Sequence, residues 1–179
     1  MKKVLIAVDM QKDFIDGSLG TKEAAKIVDN VAREIKKDYD FIVCIRDTHY
    51  DDYLSTNEGK HNPVVHCIEG SEGWQINKTI EDALNSRDHG SYMFINKPTF
   101  GSEKLIEVLK EADRKESIES ITLVGLRTDV CVVSNALMVK AAFPQIPIKV
   151  IPDCCAGVTP KTHKATLEIM KMCQIDIEQ

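Results

Sequence analysis

Five short, nearly uninterrupted apolar runs punctuate the chain: KVLIAVD (3–9), DFIVCIR (40–46), SYMFINK (91–97), SITLVGL (120–126) and IPIKVIPD (146–153). Runs of that length and continuity predict strands buried on both faces. Between them the apolar residues change to helical spacing. In TKEAAKIVDNVAREIKK (21–37), Ala25, Val28, Val31, Ala32 and Ile35 fall on one stripe, as an amphipathic helix requires. SEKLIEVLKEADRK (102–115), DVCVVSNALMVKAAF (129–143) and TPKTHKATLEIMKMC (159–173) read the same way. Strand and helix alternate, which predicts an α/β fold: a Rossmann-like three-layer α/β/α arrangement around a mostly parallel sheet. The sheet has five strands, or six if QIDIE (174–178) adds a short one.

The segment from Asp47 to Ser91 breaks this rhythm. It carries four of the five histidines, His49, His61 and His66 among them, and the single tryptophan, Trp74. Loops that long within a compact domain usually serve function. The 179 residues are otherwise expected to form one domain, with an insertion at about 47–90.

The bulk properties exclude more than they suggest. A formal charge of -5, from 23 basic and 28 acidic residues well mixed along the chain, offers no basic stripe for nucleic acid. No apolar stretch approaches the roughly 18 residues of a membrane span. The N-terminal MKKVLIAVDM reads as a first strand, because an aspartate cuts its apolar run and no cleavage site follows. A soluble, cytoplasmic protein is expected, with its six cysteines free. No C-x-x-C pair occurs among them, and no G-x-G-x-x-G follows the first strand, against a thiol-redox site and dinucleotide binding.

Open α/β sheets bind ligands beyond the carboxyl ends of their strands. There this sequence delivers Asp9, then Asp47 with Thr48 and His49, then Lys97, then the turn that carries Cys131. Thr128 or Asp129 is a candidate N-cap for a helix starting near Val130, which puts Cys131 in a first turn whose amides and dipole favour a thiolate. Lys97 would lower the thiol pKa further. Asp9 could take the thiol proton and later deliver it to a leaving group, while the amides of Arg127 and Cys131 could form an oxyanion hole.

These residues fall into motifs: VDMQKDFIDGSL with Asp9, Asp13 and Phe14; RDTHYDDY followed by EGKHNPVVHCIEGSEGW; INKPTFG with Lys97; GLRTDVCV with Cys131; and IPDCCAG before His163. In this order they resemble the isochorismatase-like cysteine hydrolases, and most closely the nicotinamidase-related amidohydrolases. The resemblance implies an Asp9–Lys97–Cys131 triad, a thioester on Cys131 and a cis peptide between Leu126 and Arg127. It also implies a divalent metal, zinc with iron or manganese as alternatives, on Asp47, His49 and His66, with Glu58 in direct or water-mediated contact; the 47–90 insertion is then the metal-binding loop. Asp47 and His49, two apart on an extended segment, face one side. Phe14 and Trp74 are candidates to stack on an aromatic substrate, with Tyr50, Tyr53 or Phe100 as alternates. Arg127 departs from the small residue or cysteine common there in nicotinamidases, and could narrow the site or favour an acidic substrate.

The expected activity is hydrolysis of nicotinamide, or a similar small heteroaromatic amide, to the acid and ammonia. An alternative is a family hydrolase of another small substrate, such as a carbamoyl compound or an isochorismate-like ether. A non-enzymatic receiver-type signalling domain also pairs aspartates with a lysine, but here the lysine follows the third strand, too early for that pattern. A homo-oligomer, dimer or tetramer, is expected from the resemblance.

Overall fold

The computed structural model describes residues 1–178. Six strands, β1 (Lys2–Val8), β2 (Phe41–Asp47), β3 (Ser91–Lys97), β4 (Ile118–Leu126), β5 (Ile148–Ala156) and β6 (Asp176–Ile177), form one sheet in the order β3-β2-β1-β4-β5-β6. Every pairing is parallel, so the expected mostly parallel sheet is wholly so.

Alternation along β1 explains the three layers. Val4, Ile6 and Val8 point into a core with Leu105, Leu109, Ala136, Val139 and Met170, from α5 (Glu103–Lys115), α6 (Val133–Ala142) and α7 (Pro160–Met172). Leu5 and Ala7 point the other way, to Phe14, Val28, Val31, Ile35, Ile80 and Leu84, from α1 (Lys12–Ile15), α2 (Lys22–Ile35) and α4 (Lys78–Asn85). Both faces are covered, which is why the strands read as continuous apolar runs rather than as alternation.

Three expectations need correction. The stretch at 47–90 is not a bare loop: it holds a 3-10 turn (Tyr53–Ser55), the short helix α3 (Asn57–His61) and α4. In α4 only Ile80, Ala83 and Leu84 are buried, too few to give a strong periodic signal in eight residues, and Asn77 caps it by accepting from Thr79 N–H. β5 runs past Asp153 to Ala156, because Pro152 lies where the register shifts: Leu123 pairs with Val150, but Gly125 with Cys155. A proline is tolerated in a strand at such an irregularity. The segment at 129–143 divides into a π-helical turn, Thr128–Val132, and α6. No helix among the described residues is long and apolar enough to cross a membrane.

Candidate active site

Strand order reverses between β1 and β4, the place where open sheets leave a crevice. Asp9 follows β1, Asp47 ends β2, Lys97 ends β3, and Cys131 lies in the turn after β4. Lys97 joins them. Its Nζ lies 2.9 Å from Asp9 Oδ2 and 3.0 Å from Asp47 Oδ1, and it donates to Cys131 Sγ at 3.5 Å. All four side chains are buried, so a lone ammonium is held by two carboxylates and a thiol. The close approach of β1 and β4 depends on Gly125: its φ is +117°, and a Cβ there would lie 2.1 Å from the carbonyl oxygen of Val8. Asp9 itself takes a positive φ of 50°, a conformation that aspartate tolerates better than most residues.

Burial pushes the Asp9 carboxyl up to about 6, with Lys97 opposing and Asp47 adding to the rise. Burial also drives the Cys131 thiol well above its ordinary value, and Asp9 raises it further while Lys97 pulls it down. The helix-turn expectation of a lowered thiol pKa is therefore corrected for the resting site: enclosure and two nearby carboxylates outweigh the lysine. That balance favours the neutral thiol. Asp9, a hydrogen-bonding neighbour of that thiol, has two buried oxygens without well-aligned hydrogen bonds, so an acceptor is ready beside the donor. Burial disfavours the charge on Lys97, but Asp9, Cys131 and Asp47 hold its pKa well above that of a free lysine.

The Leu126–Arg127 peptide is cis, as the resemblance implied. Arg127, not Thr128 or Asp129, occupies the N-cap position, and no side chain caps the turn. Thr128 Oγ1 instead meets His163 Nδ1 at 2.8 Å, and the Asp129 carboxylate accepts the Val158 N–H at 3.0 and 2.9 Å. The Arg127 carbonyl accepts from Val130 and Val132 N–H, passing over the Cys131 amide between them. Asn135 fixes the turn from α6 by donating to the carbonyls of Cys131 at 2.8 Å and Phe100 at 3.0 Å.

Next to this group Asp47, His49, Glu58 and His66 converge, one ligand atom from each lying within 4.8 Å of all the others. Asp47 Oδ2 is 3.1 Å from His49 Nε2 and 3.4 Å from His66 Nε2; Glu58 Oε1 is 3.6 and 3.9 Å from the same nitrogens. Ligands about 2.1 Å from a common ion lie about 3.0 Å apart in an octahedral array and about 3.4 Å apart in a tetrahedral one, so this set fits a divalent ion with little adjustment. His66 Nδ1 meets the Val64 carbonyl at 2.7 Å, which leaves Nε2 to present a lone pair. Burial raises the Asp47 pKa, but hydrogen bonds from His49 and His66 and the Lys97 charge hold the carboxyl well below its usual range. Asp47 thus serves both clusters, one oxygen toward the histidines and the other toward Lys97.

Two further polar residues set this geometry. Gln11 is buried; its Oε1 accepts the Asp47 N–H at 2.7 Å, and its Nε2 donates to the Asp47 carbonyl at 2.8 Å. Asp13 Oδ2 accepts the Cys67 N–H at 2.8 Å, tethering the His66 segment. Gln11 stands inside the first motif, but its partners lie 36 and 63 residues away and leave no local trace in sequence.

A cavity of about 740 Å³ opens over Cys131 and the metal-type cluster, lined also by Phe14, Arg127, Phe100 and His61. Phe14 meets the His66 ring edge-on, 5.4 Å between centroids. Trp74 does not line the cavity: Arg46 stacks on its ring at 4.0 Å, and its Nε1 donates to Thr48 Oγ1 at 2.9 Å. Tyr50 is exposed and borders a separate, acidic groove. Tyr53 is buried behind His49 and His66. Of the aromatic candidates, the structure therefore brings Phe14 and Phe100 to the cavity wall. His61, to which the sequence assigns no role, also lines the cavity, with Nδ1 2.8 Å from the Asn57 carbonyl.

A parallel sheet with a cysteine, a lysine and two carboxylates at its switch point, beside a metal-type cluster, defines a class of α/β cysteine hydrolases. The sequence matches the isochorismatase domain over residues 3–178, and the chain belongs to that family. It is 26% identical to the nicotinamidase/pyrazinamidase of Mycobacterium tuberculosis over 98% of this chain and 97% of the relative. The zinc complex of a Pyrococcus horikoshii pyrazinamidase superposes with a TM-score of 0.80 at 25% identity, covering 100% of this chain and 99% of the other. N-carbamoylsarcosine amidase from Thermoplasma acidophilum shares the fold, with a TM-score of 0.72 at 23% identity and coverage of 100% and 96%. Within the family the chain stands close to the nicotinamidases and is an amidase-type hydrolase of a non-peptide C–N bond.

Proposed function

We propose that the chain hydrolyses nicotinamide, or a similar small heteroaromatic amide, to the acid and ammonia through a thioester on Cys131. The observation that carries this reading is the placement of Lys97 Nζ against Asp9, Asp47 and Cys131 at once. As Sγ attacks the amide carbonyl, its proton passes to Asp9, whose pKa of about 6 makes it an ionised but usefully basic acceptor at neutral pH. The carbonyl oxygen becomes an oxyanion facing the amides of Arg127 and Cys131. Asp9 returns the proton to the amide nitrogen, the C–N bond breaks and ammonia leaves. Water then adds to the thioester as Asp9 takes its proton; collapse releases the acid, and the thiol is restored. Lys97 keeps compensating charge beside Asp9 and Sγ throughout.

Asp47, His49 and His66, with Glu58, would hold a divalent metal, zinc or else iron or manganese, which supplies a Lewis-acid position for a ring nitrogen when bound. The zinc complex of the pyrazinamidase relative supports this choice. Phe14 and Phe100 would flank the ring. One domain, a cytoplasmic setting and a homo-oligomer belong to the same reading. Ammonia release from nicotinamide is the test, with Cys131→Ala and a chelated sample as controls. Release requiring both thiol and metal supports the proposal, whereas undiminished release by Cys131→Ala refutes the mechanism.

A further inference from the structure

Arg127 contributes a guanidinium to the cavity wall that holds Cys131, yet little there engages it. One terminal nitrogen donates to the Leu19 carbonyl, and the group lies 5.9 Å above the Phe14 ring. A guanidinium has five N–H donors in a fixed fork, so most of its capacity is unspent. The acidic groups nearby are occupied. Asp129 receives the Val158 amide on both oxygens; Asp47 and Glu58 face His49 and His66. Among the described residues, no carboxylate lies within ion-pair distance of Arg127. The side chain is about half-buried, enough for desolvation to pull its pKa below that of a free arginine. Asp129 supplies a more distant negative charge that opposes this fall, but a partly desolvated cation with no carboxylate in contact, facing a cavity, can take an anion.

We infer that Arg127 selects a substrate bearing a carboxylate in addition to the scissile amide. Such a group would pair with the guanidinium fork, while the amide carbonyl reaches Sγ. A neutral amide would leave the guanidinium unpaired. The inference rests on the amidase reading, and it narrows nicotinamide itself to a chemotype: small ring amides that are also acids.

Ammonia release by the metal-loaded full chain should be measured with nicotinamide and with its 5-carboxy and 6-carboxy derivatives, for the wild type, Arg127→Ala and Arg127→Lys. The wild type should favour the better carboxylated amide in kcat/KM. Arg127→Ala should lower that preference roughly 10- to 100-fold, the range for a charge-assisted hydrogen-bonded pair, mainly through KM, and Arg127→Lys should keep part of it. Equal losses on neutral and acidic amides in Arg127→Ala would show that the side chain only clamps Leu19, and would overturn the inference. So would a wild-type preference for nicotinamide. If no amide is hydrolysed, calorimetry with pyridine-3,5-dicarboxylate separates the two ideas. Binding lost in Arg127→Ala keeps the anion site and removes the amidase reading; binding absent, or unaffected by the substitution, removes the anion site.

Discussion

Replacing Lys97 by methionine removes a buried ammonium while keeping an unbranched side chain only one atom shorter. Nζ lies 2.9 Å from one Asp9 oxygen and 3.0 Å from one Asp47 oxygen, so Lys97→Met leaves two buried carboxylates without their shared counter-charge. Breaking a buried pair by deleting one partner costs about 3–5 kcal/mol. In a chain of this size each kcal/mol lowers Tm by about 2–4 °C, so a fall of roughly 6–20 °C is expected. The loss should depend on pH. Asp9 already sits at about 6, raised by burial against the pull of Lys97, and without that pull it rises further. A carboxyl whose folded pKa exceeds its unfolded value costs stability as pH climbs through the interval between them. The deficit of Lys97→Met relative to wild type should therefore be larger at pH 8 than at pH 5. Thermal denaturation with chelator in both samples, so that no ion compensates Asp47, measures it directly. A Tm within 2 °C of wild type at both pH values, against the roughly 6 °C minimum derived above, would refute the reasoning that Lys97 holds the site's charge together.

The wild-type kcat/KM for amide hydrolysis should fall about tenfold per pH unit below about 6, because protonated Asp9 cannot accept the thiol proton; Asp9→Asn should be about 10²- to 10⁴-fold slower throughout the profile. A profile flat down to pH 4 would assign the base elsewhere. Chelation should abolish activity and lower Tm, with both restored by zinc, and His66→Ala should blunt the zinc-induced rise in Tm; binding at 100 times Kd is worth about 2.7 kcal/mol. Gly125→Ala should give insoluble or severely destabilised protein on expression, since the new Cβ meets Val8 O at 2.1 Å in a backbone of φ +117°.

The sequence made the sheet legible because strands buried on both faces leave continuous apolar runs, and β1 carries residues of both cores in alternation. Polar residues ending those runs were conspicuous for the same reason, so Asp9, Asp47, Lys97 and Cys131 could be picked out before their convergence was visible. The cap is not legible in sequence because the turn after β4 is π-helical, and i→i+5 bonding leaves no compositional mark. The place of Trp74 is hidden in sequence because an aromatic residue in a polar loop has two outlets, a ligand or a cation, and Arg46, which stacks on it, lies 28 positions earlier. Arg127 shows a different limit. Its identity is readable in GLRTDVCV, but its meaning lies in what it lacks: a carboxylate in ion-pair contact. Lys97 contacts Asp9, Asp47 and Cys131 at once, so under the proposed reading that cluster sets the chemistry rather than the choice of substrate. On that reading, selection among substrates comes from the cavity wall, where Arg127 offers a guanidinium whose side-chain hydrogen bond goes to the Leu19 carbonyl.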